Sequence, residues 1–188
     1  MNKEPFVISP SQELRLVQGD IPIDLGFLQD DIIGVRASIY IDATPEAVWT
    51  ALTDYDNLHR TLPKVTASRL VERKNGEIVL EQTGRTGIFI FEKTVNFRLQ
   101  VKEEHLKRIV FEQISGDFLV YRGSWRLLPL SGSYGTVLAY EANIKPAFFA
   151  PPILVSFVQR QDLPGILKAH KQRAEKATAE GQASSAQS

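Results

Sequence analysis

The stretch Thr44–Pro63, TPEAVWTALTDYDNLHRTLP, most constrains what this chain can fold into. Thr44 stands where a helix N-cap belongs, Pro45 suits the first helical position, and Glu46 suits the positive end of a helix dipole. Val48, Trp49, Ala51 and Leu52 then give the helix one apolar face. Asp54 or Asn57 can cap a second short helix that ends before Pro63. Just upstream, Ile33–Asp42 alternates, with Ile33, Val35, Ala37, Ile39 and Ile41 on one face and Arg36, Ser38, Tyr40 and Asp42 on the other. A period of two predicts a strand with one buried face.

Downstream, strand patterns follow one another with short links. Val65–Arg73 and Glu77–Arg85 flank Asn75-Gly76, a strong hairpin signal. Gly84–Gly87 reads as a turn, followed by a long strand over Ile88–Val101 and another over His105–Ser115. Gly116-Asp117 turns into Phe118–Leu130, and residues 131–135 turn into Thr136–Lys145. About seven strands with links this short predict an antiparallel sheet. From Pro151-Pro152 onward, Leu154, Phe157, Val158, Leu163, Ile166, Leu167 and His170 fall on helical spacing. Pro164 either kinks this helix or, with Asp162 as a cap, divides it. The fold class expected is α+β: a curved antiparallel sheet around a long C-terminal helix, with two short helices after the first strand. Residues 1–31 read as an extended, partly ordered arm, 32–177 as one ligand-binding domain, and 178–188 as a disordered tail.

Composition narrows the function classes. Lys plus Arg equals Asp plus Glu at 22 each, so no global basic field favours nucleic acid. Cysteine is absent, which removes disulfides, thiolate catalysis and cysteine metal sites. No apolar run has the length of a signal peptide core or a membrane span. The expectation is a cytoplasmic protein, free or peripheral to a membrane.

The strand from Ile88 carries the candidate site. Its odd positions, Phe89, Phe91, Lys93, Val95, Phe97, Leu99 and Val101, should point inward. A buried, unpaired ammonium is costly, so Lys93 needs a carboxylate, a ligand or water. It is a candidate anchor for a ligand head group. A rim position, with its stem over apolar surface, is the favoured alternative. Phe111, Tyr121, Trp125 and Tyr140 can face the same side, with Phe157 opposite on the helix; they either line a cavity or fill a closed core. Asp54 and Asp56 beside Tyr55 read as caps rather than acid–base groups. His59, His105 and His170 lie in separate elements without metal-ligand spacing, so neither a metal nor a cofactor is expected. Gly84-Arg85-Thr86-Gly87 lacks the ending of a phosphate-binding loop.

The order of strand, helix pair, six strands and long helix resembles the helix-grip fold. The matching pieces are Ala43–Pro63, LEQTG at Leu80–Gly84, GDFLVYRGSWRLLP at Gly116–Pro129, LAYEANIKP at Leu138–Pro146 and RQDLPGILKAHKQRAE at Arg160–Glu175. On these the chain resembles the START-type polyketide cyclase/dehydrase and lipid transport superfamily (SRPBCC). Within it, it looks most like the coenzyme Q-binding START-like group of cyanobacterial and plant type. The resemblance covers about residues 34–175 and makes the ligand-binding domain over 32–177 START-like. It implies a cavity between sheet and C-terminal helix that holds a lipid, isoprenoid or quinone, without a catalytic residue. Residues 146–152, PAFFAPP, would form the portal, with Phe148 and Phe149 at its mouth making transient membrane contact. The alternatives are a cyclase or dehydratase pairing Lys93 with Glu81 or Glu141, and a scaffold whose cavity has closed.

Overall fold

The computed structural model describes residues 8–88, 91–130 and 134–185; side-chain detail within these ranges excludes residues 86–88, 91–92, 129, 153–154, 157 and 184–185. Eight strands form one antiparallel sheet: β1 (Ile23–Phe27), β2 (Ile33–Ile41), β3 (Val65–Lys74), β4 (Glu77–Ile88), β5 (Phe91–Glu104), β6 (Arg108–Gly116), β7 (Phe118–Pro129) and β8 (Thr136–Pro146). Their order across the sheet is β1-β2-β8-β7-β6-β5-β4-β3. Helices α1 (Pro10–Val17), α2 (Pro45–Thr53), α3 (Leu58–Thr61) and α4 (Pro152–Ser185) complete it.

The alternation in β2 buries Ile33, Val35, Ala37, Ile39 and Ile41 against α2 and α4. From α4, Val155, Val158, Leu163, Leu167, His170 and Ala174 reach back at helical spacing. The Thr44 hydroxyl accepts from the Ala47 amide and starts α2. Asn75 and Gly76, both at positive φ, close the β3–β4 hairpin with Lys74 opposite Glu77. Asp117 ties the β6–β7 turn to β5: its carboxylate accepts from the Asn96 amide at 2.7 Å and its own amide donates to Asn96 O at 2.9 Å.

Several expectations change. From residue 8 the N-terminal arm is not simply extended: Ser9 and Gln12 form a capping box on α1, whose Leu16 packs with Leu130 and Val137, and β1 adds an eighth strand beside β2. Gly84–Gly87 continues β4, paired with β5 through Ile88 opposite Phe91. A glycine pair signals a turn only where the ladder stops, and β5 supplies partners throughout. Helix α4 is continuous across Pro164, so Asp162 does not start a second segment. It also runs past Thr178 to Ser185, through Ala179, Glu180, Gln182 and Ala183 and in spite of Gly181, with a Lys176–Glu180 pair at i,i+4 spacing. Neither Asp54 nor Asn57 caps the second helix. Asp54 instead pairs with Arg173 of α4 and accepts from the Asn57 side-chain amide at 2.8 Å.

Candidate functional site

Between the sheet and α4 lies a cavity of about 210 Å³. Its floor is Phe97, Phe111, Tyr121, Trp125 and Tyr140. Its roof is Val158, Leu163, Ile166 and His170 of α4, and its side wall is Leu52, Tyr55, Leu58 and Leu62. Pro63 and Arg85, exposed lining residues, mark the open side, with Lys64, Gln159 and Asp162 also in the lining. The α3–β3 link is held there by a 2.7 Å bond from the Arg85 amide to Lys64 O. The volume falls below the roughly 300–1,000 Å³ of drug-sized ligand sites. The reason is ring packing on the floor: Phe97 meets Tyr121 at 5.4 Å and Phe118 at 5.8 Å, and Phe111 meets Tyr121 at 5.2 Å.

Five of the aromatic positions singled out in the sequence therefore meet in one place: Phe97, Phe111, Tyr121, Trp125 and Tyr140. Phe89 lies outside the described residues, as do the side chains of Phe91 and Phe157. Lys93 is not in the cavity. It is exposed, with Nζ 3.7 Å from the centre of the Phe148 ring, the rim position favoured for it. β5 buries Val95, Leu99 and Val101 on its inward face, whereas Lys93, two residues before Val95, is exposed. Phe148 is half-buried and Phe149 is 96% exposed.

The carboxylates paired with Lys93 in the enzyme reading sit elsewhere. Glu81 binds Arg69 at 2.6 Å and Arg98 at 3.3 Å, and Glu141 lies 3.4 Å from Arg126 and 3.9 Å from Arg36. Neither lines the cavity. Asp56 accepts from the Leu70 amide at 2.7 Å, and the Tyr55 hydroxyl donates to Glu103 at 2.7 Å. Burial and then that bond push the Tyr55 phenol above its ordinary range.

The sequence did not single out His170 as a site residue, though its place on the apolar stripe of α4 was a signal. It is 3% exposed and meets Trp125 edge-on at 5.3 Å. Burial, and then the Arg173 charge, lower its pKa to about 4; the Ala51 carbonyl, as hydrogen-bond acceptor, works the other way. The imidazole is therefore neutral at pH 7. Trp125 also packs on Tyr140 at 4.4 Å. Burial raises both Tyr121 and Tyr140, whose hydroxyls are hydrogen-bonded to each other. The cavity is thus mainly apolar, with a few polar groups and with Lys64, Arg85 and Asp162 as its charged lining residues.

A sheet closed by a long C-terminal helix is shared with known proteins. The family model described as polyketide cyclase / dehydrase and lipid transport matches residues 41–171. The chain belongs to this family. Its fold matches that of a Thermus thermophilus protein (TM-score 0.66, 24% identity, covering 77% of this chain and 98% of that one). It also matches the Zhui aromatase/cyclase of Streptomyces sp. R1128 (0.69, 14%, 78% and 96%) and human STARD10 (0.65, 12%, 97% and 86%). At these identities the likeness to these proteins is one of fold alone. No curated protein matches its sequence. Among the described residues no helix is long and apolar enough to cross a membrane.

Proposed function

We propose that the protein binds or carries a hydrophobic small molecule, a lipid, isoprenoid or quinone, in this cavity without catalysing its conversion. The ligand-binding domain would span residues 32–177. The observation that carries this reading is the cavity itself: aromatic and aliphatic on floor, roof and side wall, with its lining carboxylate, Asp162, on the roof helix rather than beside Lys93. The fold is shared with a protein of Xanthomonas axonopodis named as a STAR-related lipid transfer protein; within the family, the coenzyme Q-binding group is the finer assignment proposed. The cyclase or dehydratase alternative draws on the Streptomyces aromatase/cyclase, but its Lys93–Glu81 and Lys93–Glu141 pairs do not form. The closed-scaffold alternative is weakened because Phe97 and Trp125 wall the cavity rather than fill it.

Mass spectrometry of an organic extract of the purified protein, beside a mock purification, tests the reading. A prenyl quinone or lipid enriched to near stoichiometry supports it and names the ligand class; nothing enriched removes the carrier function in favour of the enzyme or scaffold.

The portal would be residues 146–152, which line no part of the cavity but meet its edge where the Ala147 amide bonds Asp117 O, next to the cavity-lining Phe118. Phe149 projects there, and we place transient membrane contact on it, as for a cytoplasmic protein working at a bilayer surface. Partial burial of one phenylalanine is worth about 1.4 kcal/mol, or about tenfold in partitioning. Replacing Phe148 and Phe149 together by Ser should weaken liposome co-sedimentation by that factor. Unchanged binding removes the membrane contact.

A further inference from the structure

The cavity has two unlike ends, and strand register separates them. Gln82 of β4 lies opposite Phe97 of β5, two residues from the Val65–Gly84 pair at the open side. Six residues further along β5, Glu103 lies opposite Ile109, which in turn lies opposite Trp125. At this far end the lining is Ile109, Trp125, Tyr140 and His170. Trp49, outside the lining, stands at the same end, edge-on to His105 of the β5–β6 turn at 5.3 Å. The near end holds the polar lining residues Lys64, Gln82, Gln159 and Asp162. Helix α4 meets the α3–β3 link there: a Cβ at Gly165 would lie 3.4 Å from Pro63 Cγ, and Asp162 is three residues earlier on the same helical face.

Gln82 is held in one orientation. Ser68 Oγ donates to Tyr55 O at 2.6 Å, so its single hydrogen is used. It therefore accepts from Gln82 Nε2, 3.0 Å away, which fixes the amide with Oε1 turned from Ser68. Alternation along β4 puts Gln82 on the same inward face as Leu80, and both line the cavity. No described residue bonds Gln82 Oε1. The buried side-chain atoms that lack a partner are at Arg98, Gln113, Arg126 and Arg173, so Gln82 Oε1 keeps accessible surface. A carbonyl oxygen is thus positioned at the mouth of an apolar cavity before any ligand arrives.

Lys64 and Asp162 carry opposite charges at this end and offset one another, so no net field favours an ionic head. A hydroxyl is the smallest head that can bring Oε1 a hydrogen, and the far end suits an apolar body. Resting on the binding function proposed above, we infer that the cavity takes an uncharged amphiphile tail-first, its hydroxyl head donating to Gln82 at the mouth and its apolar end lying beside Trp125.

The orientation is tested with 10-bromo-1-decanol and 2-bromo-1-decanol, which carry one quencher at opposite ends of the same chain. Each is titrated into the full chain at pH 7 and followed by tryptophan fluorescence. Both tryptophans stand at the far end, so the tail-brominated alcohol should quench strongly and the head-brominated one weakly. The head contact is tested by calorimetric titration of 1-decanol against 1-methoxydecane, which accepts but cannot donate. The alcohol should bind about fivefold tighter, the size of one net hydrogen bond. Gln82→Met should erase that difference, and both comparisons on the unaltered protein stand without the variant. Equal or reversed quenching, or equal affinities for alcohol and ether, overturns the inference and leaves the carrier function standing. Binding of none of these probes overturns both.

Discussion

The Gly123→Ala variant is expected to lose at least about 3 kcal/mol of folding stability, at the upper end of overpacking costs. Gly123 lies in register between Phe111 of β6 and Ala142 of β8. A Cβ built there falls deep inside the contact distance of the Glu141 carbonyl oxygen, 2.8 Å from Phe111 Cζ and 2.9 Å from Ala142 Cα. The phenylalanine ring could turn away, but the carbonyl and Cα belong to a paired strand and cannot move without breaking the ladder. Since Phe111 is part of the cavity floor, ligand binding should fall with stability. Urea unfolding followed by circular dichroism decides the point; a variant within about 1 kcal/mol of the parent would show that β7 and β8 are not this close.

Acid should destabilise the protein through His170 before its carboxylates titrate. The unfolded imidazole takes up a proton near pH 6.5, whereas burial and Arg173 delay this in the folded state to about pH 4. The unfolded chain therefore binds more protons across that window. The His170 contribution is fully present above pH 6.5, declines as pH falls, and is lost by about pH 4. Integrated from pH 7 to pH 4, the loss is about 3 kcal/mol. Denaturation midpoints measured across this range should show the slope, and the His170→Phe variant should lack it. A flat profile for the unaltered protein would mean that the imidazole is hydrated.

Much of the architecture was legible because its signals are local. The alternation of Ile33–Ile41, the Thr44-Pro45 cap, the Asn75-Gly76 turn and the helical spacing from Val158 to His170 each describe a surface that one element must bury. The even spacing of Phe97, Leu99 and Val101 put them on one face for the same reason. What the local pattern does not carry is where a ladder or a helix ends. Gly84–Gly87 carries turn residues but stays in strand because β5 lies alongside, and Pro164 loses one backbone bond inside a helix held at many other points. β1 has too short a pattern to be read alone and becomes a strand because β2 presents a free edge.

Sequence alone thus determined the element order from Ile33 onward, the inward faces and five aromatic members of the cavity, since periodicity and caps depend on neighbours within a few residues. Tertiary structure alone decided that Lys93 stands at the rim over Phe148, and that Glu81 and Glu141 turn outward to arginines. It also decided that His170 is neutral beside Trp125. Those outcomes depend on partners distant in sequence: arginines from neighbouring strands meet the two glutamates, Phe148 meets Lys93, and packing of α4 on the sheet takes His170 out of water.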